Sequence, residues 1–115
     1  ENPLDDAETF KSEGAKLLEI GGKTNRIEDI EAQYMGLLKL SPKGWQIIFE
    51  TYQLLNDQDK DKMDMTKMLN LLLSNGIEIN VVFINGGWCE ADEYSDIIAY
   101  EKELKTNSCW KHDWR

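Results

Sequence analysis

The chain has little of the material from which several common kinds of site are built. Its 115 residues hold two cysteines, Cys89 and Cys109, and one histidine, His112. Two cysteines without a C-x-x-C pair do not make a disulfide framework, and they point to a reduced, cytoplasmic setting. A single histidine excludes a multi-histidine metal centre within the chain. No apolar run approaches the length of a membrane span, roughly 18 residues or more, and no signal peptide is visible. Basic side chains are scarce as well: 13 Lys and Arg stand against 22 Asp and Glu, a net charge of −9. A nucleic-acid partner needs a basic face, and so does docking on an anionic membrane, so neither is expected. Small molecules bearing phosphate stay open, because a metal ion or backbone N–H groups can bind them locally.

What is present is an ordinary globular composition, 41% hydrophobic and 30% charged, sufficient for one domain with a modest core. The first residue is Glu1 rather than Met, and Glu1-Asn2-Pro3-Leu4 is neither a targeting signal nor an evident start. The sequence is therefore expected to begin inside a longer protein.

The order of elements reads as follows. Pro3 to Glu13 is polar and acidic, with a short helical turn begun at Asp5 or Asp6. Lys16 to Ile20 is a short apolar strand closed by Gly21-Gly22, and Thr24 to Glu31 is a charged connection. Gln33 to Leu40 is nearly continuous in apolar character, as in a strand covered on both faces. Gly36 in its middle suggests close approach of a ligand or another backbone. Ser41 as N-cap and Pro42 at the first helical position start a helix whose stripe is Trp45, Ile48, Phe49, Tyr52 and Leu55. That helix ends in a solvated loop over Asn56 to Lys62. A second helix places Met65, Met68, Leu69, Leu72 and Leu73 on one face and stops at Asn75-Gly76. Ile77 to Ile84 is the next strand, and Tyr94 to Leu104 the last helix, with Ile97, Ile98 and Leu104 inward. Strand, strand, helix, helix, strand, helix predicts a layered α/β fold.

Several motifs carry chemistry only on paper. Asp57, Asp59 and Asp61 open like a calcium loop, but its sixth and twelfth positions hold Lys62 and Met68 instead of Gly and Glu. Met63, Met65 and Met68 are spaced to fill a core. Trp45, Phe49 and Tyr52 share a helical stripe and read as core before aromatic cage. Tyr34 and Trp88 are better placed for a cage, each lying on or at the end of a strand. Cys89 has acidic neighbours and no adjacent histidine, so it reads as structural.

The richest stretch is Gly86-Gly87-Trp88-Cys89-Glu90-Ala91-Asp92, where a strand runs through a glycine-opened turn toward a helix. In open α/β sheets, ligands bind at the carboxyl ends of strands. Asp92 directly precedes the helix, so it is a good N-cap; it is also a candidate ligand for a metal ion that escorts phosphates, and the two roles are compatible. Glu90, two residues away, falls on the same side if the segment is extended. Asp96 complements the dipole of the helix's first turn.

Four pieces in register resemble one family: Leu18-Glu19-Ile20-Gly21, Gln33-Tyr34-Met35-Gly36-Leu37-Leu38-Lys39, Met63-Asp64-Met65-Thr66, and Gly86 to Asp92 with Asp96-Ile97. The family is the nucleotidyltransferases that load sugar phosphates or phosphocholine onto a nucleotide, and the resemblance is to their bacterial phosphocholine cytidylyltransferase-like branch. It implies α/β architecture, a partial mixed and mostly parallel sheet flanked by helices. Residues 1–105 would be the carboxyl-terminal portion of the domain, and 106–115 an irregular tail bearing Trp110 and Trp114. It further implies that Asp92 matches a carboxylate holding catalytic Mg2+ and that Glu90 is a substrate-side carboxylate. By the same resemblance, Tyr34 to Gly36 line the acceptor pocket. The implied substrates are a nucleoside triphosphate, CTP or UTP, and a phosphorylated acceptor such as phosphocholine or a sugar phosphate. The Gly-rich phosphate loop, its arginine and lysine, and the first metal aspartate of the family have no match here. The isolated chain is thus expected to be inactive without an amino-terminal half or a second chain, a homo-oligomer included. The competing reading is a non-catalytic acidic α/β interaction domain.

Overall fold

The computed structural model describes residues 8–22 and 26–107. They fall into two compact units, Glu1–Val82 and Phe83–Arg115.

The first unit opens on a hairpin. Strand β1 (Thr9–Glu13) and strand β2 (Lys16–Gly22) pair antiparallel, and the two-residue β3 (Ala32–Gln33) pairs antiparallel with the other edge of β1. Thr9 to Glu13, read from sequence only as the end of a polar, acidic stretch, are strand; the helical turn expected at Asp5 or Asp6 lies outside the described residues. The expected mostly parallel sheet is not what the described residues form: every pairing of this sheet is antiparallel. The linker explains why. Only Gly14 and Ala15 separate β1 from β2, with Gly14 at φ 59°, whereas a parallel neighbour requires a crossover of a dozen residues or more.

Two bulges shape β2. Lys11 pairs with Glu19 and Ser12 with Leu17, which leaves Leu18 unopposed; Thr9 pairs with Gly22 and Phe10 with Ile20, which leaves Gly21 unopposed. Each extra residue breaks the two-residue alternation of a strand. Leu17 and Ile20, three positions apart, thus both reach the core at 5% and 3% exposure. Gly21 sits at φ 79°, so its backbone conformation calls for glycine; a Cβ there would come within ordinary contact of Thr66, at 3.4 Å.

Helix α1 (Pro42–Gln53) starts as its sequence predicts, with Ser41 Oγ accepting from the Gly44 N–H at 3.0 Å. Asn56 to Lys62 is not a loop. Asn56 caps a short helix α2 (Asp57–Lys62), accepting from the Asp59 N–H at 2.8 Å. Helix α3 (Met65–Ser74) is capped by Asp64 and closed by Gly76 at φ 79°. There the Ile77 N–H donates to Leu72 O and the Gly76 N–H to Leu73 O, each 3.0 Å, the paired closure of a Schellman turn.

Helix α3 covers the sheet with Leu69 against Leu17 and Ile20. On its other side Met68 and Leu72 pack with Ile48 of α1. Ile79 touches both clusters. The segment from Ile77 to Ile84 is not a ladder strand as expected. Its single bridge pairs Asn80 with Lys16, supported by Leu17 N–H to Ile79 O at 2.9 Å and Val81 N–H to Ala15 O at 2.7 Å. Val82, Phe83 and Ile84 are exposed. Gln33 to Leu40 likewise contributes two strand residues and then leaves the sheet.

The aromatic stripe of α1 is not core either. Ile48 alone is buried, and Trp45, Phe49 and Tyr52 stand 55%, 48% and 39% exposed. They flank the seam with α3 and line, with Met63, Met65 and Met68, a shallow open groove. Lys60 lies 5.7 Å from the centre of the Tyr52 ring, within cation–π range.

In the second unit, helix α4 (Tyr94–Thr106) follows an irregular segment. Ile97, Ile98 and Leu104, expected inward, are 44%, 52% and 55% exposed. Asn107 caps the end of α4, and Trp110 and Trp114 lie outside the described residues.

Candidate active-site loop

Gly86 and Gly87 stand in succession at φ 78° and 73°, a pair of left-handed residues that only glycine adopts without strain. They redirect the chain into the loop 88–93, which carries neither ladder nor helical backbone. Trp88 and Cys89 are half-buried, while Glu90, Ala91, Asp92 and Glu93 are exposed.

Side chains of α4 hold this loop. The Tyr100 hydroxyl donates to the carbonyl of Glu90. Asp96 Oδ2 accepts from the Asp92 N–H at 3.1 Å and from the Glu93 N–H at 3.0 Å. The N-cap of α4 is Glu93, in extended conformation, so the expected cap at Asp92 is displaced by one residue. Asp96 does more than complement the dipole, since from the third helical position it reaches back to the free N–H groups of the preceding chain. Burial raises the Tyr100 phenol above its ordinary pKa, with the charges of Cys89 and Asp96 adding to the shift. The hydroxyl stays a donor throughout the neutral range.

As a result, the Asp92 carboxylate is consumed by no cap. Among the described residues neither it nor the Glu90 carboxylate has a hydrogen-bond or ion-pair partner. Trp88, Glu90 and Asp92 therefore share one loop of the second unit. Hard carboxylate oxygens suit Mg2+, which takes one or two carboxylates and fills its remaining positions with water and substrate phosphates. No cluster of three metal-ligating side chains exists among the described residues. The pair fits an ion that arrives with phosphate, not one caged by protein.

Tyr34 and Gly36 lie in the first unit, just past β3. Tyr34 donates its N–H to Glu8 O at 2.8 Å and packs against the Leu17, Ile20 and Leu69 cluster. Burial, then the charge of Glu8, pushes its phenol pKa up. Gly36 has φ 82° and open space where a Cβ would stand, so its backbone conformation, not a neighbouring chain, calls for glycine.

Tyr100 was not legible in the sequence, because its partner lies ten residues away. The reach of Asp96 was not read either, although its signal is present: Glu93 and Asp96 have the three-residue spacing of a capping box.

No family model matches the chain, and no solved structure does. A curated protein that does match is the CTP:phosphoglutamine cytidylyltransferase of Campylobacter jejuni, 36% identical over 102 residues. The chain is a relative of a cytidylyltransferase. The match takes in 84% of the chain, which spans 40% of the length of that enzyme. Both the loop and its helix belong to a sequence with an enzyme among its relatives. Among the described residues, no helix is long and apolar enough to cross a membrane.

Proposed function

We propose that this chain is the carboxyl-terminal part of a cytoplasmic, Mg2+-dependent nucleotidyltransferase that transfers a cytidylyl group from CTP to a phosphorylated small molecule. The observation that carries the proposal is the 36% identity over 102 residues to an enzyme whose name states CTP as donor. The carboxylates of Glu90 and Asp92, without a hydrogen-bond or ion-pair partner among the described residues, follow a glycine-opened turn and support it.

In the proposed reaction an oxygen of the acceptor phosphate attacks the α-phosphorus of CTP. A new P–O bond forms, the bond to the bridging oxygen breaks, and pyrophosphate leaves with its electron pair. No group on the protein becomes covalently attached, so the protein acts by positioning and by neutralising charge. Asp92 holds the metal and Glu90 stands on the substrate side. Mg2+, when bound, screens the phosphate charge that builds up toward the leaving group. Trp88, half-buried in the same loop, presents an aromatic face to the acceptor.

The rest of the site, including basic groups for the triphosphate, is supplied by the amino-terminal half or by a second chain. The short antiparallel sheet is then one margin of a larger, mostly parallel one. Exposed Val82, Phe83 and Ile84 support that reading, being suited to a strand covered on both faces.

The test is pyrophosphate release by the full-length protein given Mg2+, CTP or UTP, and phosphoglutamine, phosphocholine or a sugar phosphate. Release is expected with CTP and a phosphorylated acceptor, and none from residues 1–115 alone. Silence across the whole panel would overturn the proposal.

A further inference from the structure

A carboxylate that orients a metal-bound phosphate must be held to within roughly 0.5 Å. The loop 88–93 has no ladder or helical backbone of its own with which to achieve this. Left free, each of its residues would keep its backbone entropy. Its restraint comes from outside. Both of the residues bearing the free carboxylates are pinned through their main chain: Glu90 through its carbonyl by Tyr100, and Asp92 through its N–H by Asp96. Neither clamp uses a carboxylate of Glu90 or Asp92. Both arise from the first two turns of α4, a regular helix. Helix capping explains Asp96 in part, since the Glu93 N–H lies at the helix start. It does not explain Tyr100, a residue within the helix whose hydroxyl reaches out to a loop carbonyl that is no part of a cap.

We propose that Tyr100 and Asp96 are positioning residues of the transfer reaction, fixing the backbone of Glu90 and Asp92 so that both carboxylates face the substrate without being spent on the fold. The inference rests on the function proposed above. Its test compares Tyr100→Phe, Asp96→Ala and the conservative Asp96→Asn in the full-length enzyme, with Asp92→Asn as the reference for loss of the ligand itself. Tyr100→Phe keeps the ring and deletes only the donor. For Tyr100→Phe and Asp96→Ala, kcat should fall about tenfold or more, as for other outer partners of a metal site. The Mg2+ concentration for half-maximal rate should rise, and KM for CTP should change little. Asp96→Asn retains an acceptor oxygen and should recover much of the rate.

In residues 1–115 alone, amide hydrogen exchange at Asp92 and Glu93 should speed up in Asp96→Ala. An unsubstituted enzyme with no transferase activity would overturn the function and this inference with it. An active enzyme that Asp92→Asn silences, but that keeps its kcat and Mg2+ dependence in Tyr100→Phe and Asp96→Ala, would overturn the inference alone. So would variants that lower only the melting temperature, or unchanged exchange at Asp92 and Glu93 in Asp96→Ala.

Discussion

Asp64 and Asp92 have the same side chain, and their surroundings give them opposite uses. Asp64 starts α3: its Oδ1 accepts from the Lys67 N–H at 2.8 Å and from Thr66 Oγ1 at 3.0 Å, and its Oδ2 meets Lys67 Nζ at 2.9 Å. The backbone bond from Lys67 is the chief reason its pKa is lowered, with the Lys67 ammonium assisting. A carboxylate whose pKa is depressed by folding stabilises the fold above its unfolded pKa, and the benefit is lost as pH falls through the folded value. Stability against urea should hold at pH 6 and decline below about pH 4, and Asp64→Asn should show a shallower decline. Equal slopes would mean that Asp64 does not contribute to acid unfolding. Among the described residues, Asp92 has none of these partners. A run such as Glu90, Asp92, Glu93 and Asp96 offers several plausible caps, so sequence did not decide among them. The reach of Asp96 to the Asp92 and Glu93 N–H groups did, placing the cap one residue beyond the expected Asp92.

Helices α1 and α3 were legible because their caps, stripes and stop signals agree: Ser41-Pro42 at one start, Asn75-Gly76 at one end. Helix α2 was missed because Asp57 to Lys62 has no apolar period; its polar cap, Asn56, and local charges define it. The sheet was the least legible part. Strand β1 is mostly polar, and the bulges at Leu18 and Gly21 spoil the alternation of β2. A further join between elements is invisible in the sequence. The Asn70 amide of α3 accepts from the Ile20 N–H at 3.2 Å and donates to the Ile20 carbonyl, so a side chain stands where a neighbouring strand would pair. Asn70→Leu keeps the volume but strips both partly buried backbone groups of their partner, and should cost about 1–3 kcal/mol. Urea denaturation checks it, and an unchanged midpoint would show that water replaces the amide at no loss.

The described residues bury only six hydrophobic side chains, all within Glu1–Val82: Leu17, Ile20, Ile48, Met68, Leu69 and Leu72. Trp45, Phe49 and Tyr52 in the first unit, and Ile97, Ile98 and Leu104 in the second, remain exposed. Apolar side chains left in water are costly to hydrate, and the chain spans 40% of the length of its cytidylyltransferase relative. With a net charge of −9, the function proposed above would need a metal ion, and basic groups outside these residues, to bind phosphate. The sequence pattern reached the likeness to a cytidylyltransferase and the glycine-opened turn, but not the clamps that follow it. The most direct measurement is steady-state turnover of the full-length enzyme bearing Asp92→Asn. Loss of kcat on the order of a hundredfold, with an unchanged melting temperature, is the predicted result. Turnover equal to that of the unsubstituted enzyme would contradict the account, leaving Asp92 an ordinary surface carboxylate.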